Sequence, residues 1–469
     1  MPTSLFQYEM LPTTWFYISG LMILAIFFRF NRFWSIRNLD IVSLILFGPG
    51  FLYIAMGNNV IGYFWLWIAG CLMILRLLLD LWFVRRPLLD PNLNPAGLTF
   101  ACVTMIAFLI PNILINRGDN LESLRTLRLE HILWMQNHPV NKQKDHLSDL
   151  PENFDVPDFI LKKPGYRPFF ELTEITNRIF APPISLSLVA MLDSRGYNLF
   201  SVHNESYPAN HNFNIKKTFQ QEKKSFSFDE IFLISLIIFL LIGIALEIVF
   251  IAHCHFNNIK TGTAAAMVYL LLPYVNQMPC CLDHILPGFL ILLAVLFYRR
   301  PVVSGLSLGF AASLVFYPVF LLPLWGSYYR SRGLFRFVIG TCSAFLLMAV
   351  LLLFSSEHLG SYGEQLAAMF GRYSLWIPSP DGLWAYFPTY YRIPIIALFM
   401  TFCFGFIIWP SRKNLATLMS GSALLMLAVQ LWMGNQGGLY MAWYLPLLIL
   451  TILRPNLEDR VASSMIVEI

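Results

Sequence analysis

Long apolar runs separated by short polar turns organise this chain. Runs close to the roughly 20 residues that cross a bilayer core lie at 14–30, 39–57, 60–84, 95–115, 231–252, 261–277, 285–298, 334–354, 393–409, 415–433 and 439–453. They predict eleven transmembrane helices. The run 302–325 differs. Pro318 and Pro323 interrupt it, and Gly305 and Gly309 weaken its first half. Arg299 and Arg300 precede it, and Arg330, Arg332 and Arg336 follow it. Lys and Arg of short loops stay cytoplasmic, so both ends belong on one side. The segment therefore predicts a re-entrant helical hairpin, which is tolerated where it is buried in protein or lines a cavity. The alternative is an ordinary span followed by one exceptional basic loop outside.

The same charge rule orients the rest. Arg29, Arg32 and Arg37 share one turn, and Arg85 and Arg86 stand two spans later. Lys260, the pair Arg412 and Lys413, and the pair Arg454 and Arg460 follow on the same side. This predicts an outside N-terminus and a cytoplasmic C-terminus. Residues 116–230 then form a large extracytoplasmic loop that holds 14 of the 32 basic and 15 of the 27 acidic residues. Long loops escape the charge rule, and the amphipathic pieces at 121–135 and 179–192 point to a mini-domain. A second outside loop, 355–392, is rich in rings such as Tyr373, Trp376, Trp384 and Tyr390. Such rings suit either the membrane interface or stacking against a sugar. The expected organisation is a four-span region at 1–115, the loop mini-domain at 116–230, a membrane core at 231–354, the aromatic loop at 355–392, and C-terminal spans with a cytoplasmic tail at 393–469.

Composition agrees with membrane residence. Hydrophobic residues make up 57% and charged residues 13%, against roughly 25% charged in a soluble domain. An ordinary cytosolic enzyme, a disordered segment and a nucleic-acid-binding arm are excluded. The seven cysteines show no CxxC spacing, and four of them lie in apolar runs, so no disulfide framework is expected. The first apolar run ends in arginines rather than a cleavage site and reads as a retained span. No repeat and no paired broken segments of an inverted-repeat transporter are visible. The fold class is an all-α integral membrane protein, a polytopic helical bundle.

Charges inside a membrane are the first candidates for chemistry. Arg76 and Asp80, four apart on one helix face, read as a structural pair, and Glu247, near a span end, reads the same way. Polar groups at the outer rim carry more interest. Asp119 follows the fourth span closely, with Glu122 and Arg125 one turn further on. Gln277, Asp283 and His284 cluster in the turn between two short spans. A carboxylate beside a His at a cavity rim can act as a general base or hold a phosphate or sugar hydroxyl. The triplet His253, Cys254 and His255 is not a metal site, because i and i+2 do not share a helix face. No nucleotide-binding, zinc-protease or hydrolase motif occurs. No cofactor is identified, no metal site is called, and the sequence gives a divalent metal no support.

The stretch 261–340 resembles the central region of the polyprenol-phosphate-mannose-dependent mannosyltransferases, glycosyltransferase family 87 of the GT-C superfamily. The likeness rests on Gln277, Arg299 and Arg300, then Gly305, Gly309, Ala311, Pro318 and Pro323 in the hairpin, then Arg330, Arg332 and Arg336. The C-terminal stretch from Gly437 to Pro446 is similar to the family's last span. The resemblance implies a membrane glycosyltransferase, in the plasma membrane of a bacterium, that transfers a mannose-like sugar from a polyprenyl-phosphate donor to an acceptor on the outer face. It implies that Asp119 is the general base, with Glu122, Arg125, Gln277, Asp283 and His284 as substrate-binding candidates. Val315 stands where the family has a Lys, so another group, Arg125 or His284, would have to hold donor phosphate. Three more spans precede the similar region than the family has. Two other classes remain open: a transporter or flippase of a lipid-linked substrate, and a non-catalytic membrane assembly protein.

Overall fold

The computed structural model describes residues 11–29, 31, 33–80, 91–115, 228–277, 281–331, 333–355, 359–371, 382–411, 413–434 and 439–455. These residues are predominantly helical, with no strand among them. In chain order the helices are α1 (Pro12–Phe27), α2 (Ile36–Ile45), α3 (Phe47–Ala55), α4 (Asn59–Asp80), α5 (Pro95–Ile115), α6 (Phe228–Phe256), α7 (Ile259–Leu271) and α8 (Pro273–Gln277). They continue as α9 (Leu282–Leu296), α10 (Pro301–Leu314), α11 (Leu322–Tyr329), α12 (Leu334–Ser355), α13 (Leu359–Met369), α14 (Arg392–Ile408), α15 (Leu415–Trp432) and α16 (Leu445–Leu453). Seven of the described helical stretches are long and apolar enough to cross a membrane, and four shorter apolar helices accompany them. The chain is a multi-pass, all-α membrane protein.

Local chemistry explains the boundaries. Ser35, Asn258 and Asn414 stand at N-cap positions, and each side chain accepts a backbone N–H of the first turn. Pro12 and Pro301 open their helices where a missing N–H costs nothing. The run 39–57 continues through Leu46, which keeps helical backbone between α2 and α3, so the two together form one of the long apolar stretches. Another expected span is broken. The run 261–277 breaks at Leu272, before Pro273, because a residue preceding proline avoids the α conformation. The last expected span, 439–453, is a 3₁₀ turn at Met441–Trp443 followed by the nine-residue α16.

The segment 302–325 does fold back on itself. α10 stops at Val315, whose backbone is extended, a 3₁₀ turn covers Tyr317–Leu321, and α11 returns. The two ends meet: the Tyr329 hydroxyl donates to the Tyr298 carbonyl and lies 3.2 Å from the Ser304 hydroxyl. Gly305 has a use beyond weakening a helix. A Cβ there would collide with the Phe337 carbonyl of α12, and one on Gly340 would collide with the Val302 carbonyl of α10. The two backbones pack in direct contact, as small residues permit between membrane helices.

Burial sorts the helices into a centre and a rim. Of the most apolar window of α15, 78% of residues are buried, against 22% in the window that contains α14. α7 is buried along nearly its whole length, from Thr261 to Leu271. On α12 and α14 large apolar side chains such as Phe335, Leu346, Phe354 and Ile408 face outward. Lipid is a fitting solvent for such faces.

Candidate functional site

Asp119, Glu122 and Arg125 lie outside the described residues. So does most of the loop 116–230; only its last three residues open α6. Gln277 is the last residue of α8, and its side chain lies outside the described set. The helix that leads to Asp119 is nevertheless tied to α8. The Asn112 amide of α5 donates to the Asn276 carbonyl at 2.8 Å and to its side-chain oxygen at 2.7 Å.

Asp283 and His284 are brought together in the first turn of α9. Cys281 is the N-cap residue, and its carbonyl accepts the His284 N–H at 3.0 Å. His284 is fully buried. Its Nδ1 sits 2.9 Å from the Tyr274 hydroxyl, and its Nε2 faces the Asp283 carboxylate at 4.0 Å. The ring lies parallel to Tyr274 and packs on Tyr440, with centroids 4.3 Å apart. Asp283 keeps a partly exposed carboxylate, while its backbone carbonyl accepts Trp443 Nε1 at 3.1 Å. Cys281, Asp283 and His284 bring one donor atom each to within 4.8 Å of the others.

An aromatic run leads from this turn to the broken hairpin. Tyr440 stacks on Trp443 at 4.4 Å. Trp443 packs on Tyr317 at 5.7 Å, and Tyr317 packs edge-on against Trp432. At the end of the run stands Arg392, the first residue of α14. It is fully buried, and its Nε donates to the Trp432 carbonyl at 2.9 Å. Among the described residues neither Nη1 nor Nη2 has a hydrogen-bond partner. The Tyr317 phenol is its electrostatic neighbour. Sequence reasoning missed Arg392, which looked like the edge of an aromatic loop. Its signal was position: it abuts an apolar run on the side where the charge rule expects few basic residues.

A second group of charges is matched. Arg76 donates from Nε and Nη2 to the two oxygens of Asp40, and Nη1 reaches Asp80 at 3.4 Å. Arg454, just past α16, donates to the other Asp80 oxygen at 2.9 Å. The Arg76 and Asp80 pair is thus half of a neutral cluster of four. Glu247, expected to be structural, is buried, and among the described residues neither carboxylate oxygen has a hydrogen-bond partner. Of the triplet on α6, His255 Nε2 lies 2.9 Å from the Leu296 carbonyl.

A pocket opens on the other side of the 439–444 stretch, between α4 and α15. Tyr63, Trp67, Trp384 and Tyr444 line it with Gln430. Its rings are held in place: Trp67 and Trp384 both donate to the Leu431 carbonyl. Compared with family models, curated proteins and solved structures, the chain gives no match.

Proposed function

We propose that this chain is a polytopic membrane glycosyltransferase that moves a mannose-like sugar from a polyprenyl-phosphate donor to an acceptor on the extracytoplasmic face. Arg392 carries the reading. A buried guanidinium with two unpartnered donor nitrogens is costly unless an anion completes it, and planar guanidinium matches phosphate geometry. It lies beside the break of the hairpin, where Val315 replaces the lysine of the family that the sequence resembles. A cation from α14 would then do the work of that lysine.

In this reading Asp119 takes the proton of an acceptor hydroxyl as its oxygen attacks the anomeric carbon. The bond from that carbon to the phosphate oxygen breaks, and polyprenyl phosphate leaves with its charge held by Arg392. The amide link between α5 and α8 supports grouping Asp119 with Gln277 and Asp283. Glu122, Arg125 and His284 remain substrate-binding candidates. The protein would sit in a bacterial plasma membrane, N-terminus outside and C-terminus in the cytoplasm. The test is transfer of labelled sugar from a polyprenyl-phosphate donor by the protein in membranes. Asp119→Asn is expected to abolish transfer while leaving the amount of folded protein unchanged. Full transfer by that variant would remove Asp119 from the role.

Glu247 favours a second reading, a transporter or flippase of a lipid-linked substrate. A carboxyl buried in a span without a partner marks a proton or substrate path. Uptake into proteoliposomes without covalent transfer, lost in Glu247→Gln, would establish it.

A further inference from the structure

We propose that Cys281, Asp283 and His284 form a binding site for a divalent transition-metal ion of the zinc type, with one coordination position open. The donor set decides the class. A thiolate and an imidazole disfavour magnesium and calcium, which take oxygen ligands. Three protein ligands of the Cys, His and Asp kinds plus an open position is the pattern of a reactive zinc site.

Three features of the turn support it. N-cap and N3 side chains lie on one side of a first helical turn, so Cys281 and His284 converge, with Asp283 between them. Their donor atoms lie within 4.8 Å of one another. A tetrahedral zinc ion needs roughly 3.3–3.6 Å between ligand atoms, set by bonds of about 2.0–2.3 Å. An inward shift on the order of 1 Å, within the reach of side-chain rotation, closes the gap. The histidine also has its outer shell. Tyr274 at Nδ1 and the Tyr440 ring fix the imidazole with Nε2 toward Asp283, and such a partner orients a metal-bound histidine.

Electrostatics agrees on balance. The start of α9 opposes a bare cation weakly. The same partial positive charge stabilises a thiolate and a carboxylate. Binding releases the Cys281 thiol proton to water, and the dication with one thiolate, one carboxylate and a neutral imidazole is uncharged. An uncharged site suits a position at the rim of an apolar core. The partly exposed Asp283 carboxylate gives the ion its way in.

The test uses the full chain in detergent, stripped with a chelator and titrated with Co²⁺. Wild type is expected to take up about one equivalent with a thiolate-to-cobalt charge-transfer band, and zinc is expected to displace the cobalt. Cys281→Ser should remove the band, whereas Cys71→Ser, on the half-buried Cys71 of α4, should keep it. Tyr274→Phe should keep the band and weaken binding about 10- to 100-fold. A wild-type protein with no such band overturns the site, and so does a band that survives in Cys281→Ser. Both readouts are independent of sugar transfer, so this inference fails or stands apart from the proposed function.

Discussion

Two buried arginine environments divide this molecule. At one, Asp40 of α2 is held by Arg76 of α4, and Asp80 is shared between Arg76 of its own helix and Arg454 beyond α16. At the other, Arg392 donates from Nε to a backbone carbonyl, and among the described residues its Nη1 and Nη2 meet no hydrogen-bond partner. Both lie in low-dielectric surroundings, where an unmatched charge costs several kcal/mol. The first has all its charges answered inside the protein, so it serves the fold by pinning α2, α4 and the end of α16 together. The second keeps a cost that packing alone does not repay. It is therefore the better place to look for an external anion.

The difference can be broken most forcefully at the matched site. Asp80→Asn leaves Arg76 and Arg454 short of charge, and stability is expected to fall by about 3–5 kcal/mol. Thermal unfolding in detergent would register it, and Arg454→Gln added to Asp80→Asn should recover part of the loss. At the unmatched site the sign reverses. Arg392→Met removes a desolvated cation without orphaning any acid, so stability should stay level or rise by about 1 kcal/mol. Transfer from a polyprenyl-phosphate donor should fall by about 10²- to 10³-fold, as when one donor to a developing oxyanion is lost. A destabilised Arg392→Met with normal transfer would place Arg392 with the structural cluster. The smallest effect belongs to Glu247→Gln. No hydrogen bond to a described residue is lost, so stability should change by less than about 1 kcal/mol, and sugar transfer should be unaffected; lost uptake in this variant would favour the transporter reading instead.

Much of the architecture could be read because long apolar runs announce themselves. Pro318 and Pro323, with basic residues at both ends of the segment, marked the hairpin, whereas the break before Pro273 lies inside a run read as one span. Arg76 and Asp80 were legible as a pair because four residues on a helix make neighbours. Their partners were not, since Asp40 is 36 residues from Arg76 and Arg454 is 374 from Asp80. Asp283 and His284 were legible as adjacent polar groups at a turn. The rings that hold them came from Tyr440 and Trp443, far along the chain. Cys281 carries no metal signature in the sequence, because it lacks a cysteine at a ligand spacing; only the turn of α9 brings it toward the other two donors. Arg392 was hidden by its neighbourhood of tyrosines. Asp119 was legible as a carboxylate at the outer rim, its role as base came only from family resemblance, and it lies outside the described residues.

The backbone contact between α10 and α12 also bears on how the protein is made. α10 is only 14 residues long and cannot cross a bilayer unaided. The face it opens at Gly305 meets Gly340 and Thr341, which leave the ribosome later than α10 itself. Until then its closest packing partner does not exist, and α11 has yet to lose its exposure through Trp325 stacking on Phe337. Biogenesis of the hairpin must therefore wait on α12, and a chain truncated before residue 334 should hold residues 301–329 open to protease where the full chain protects them.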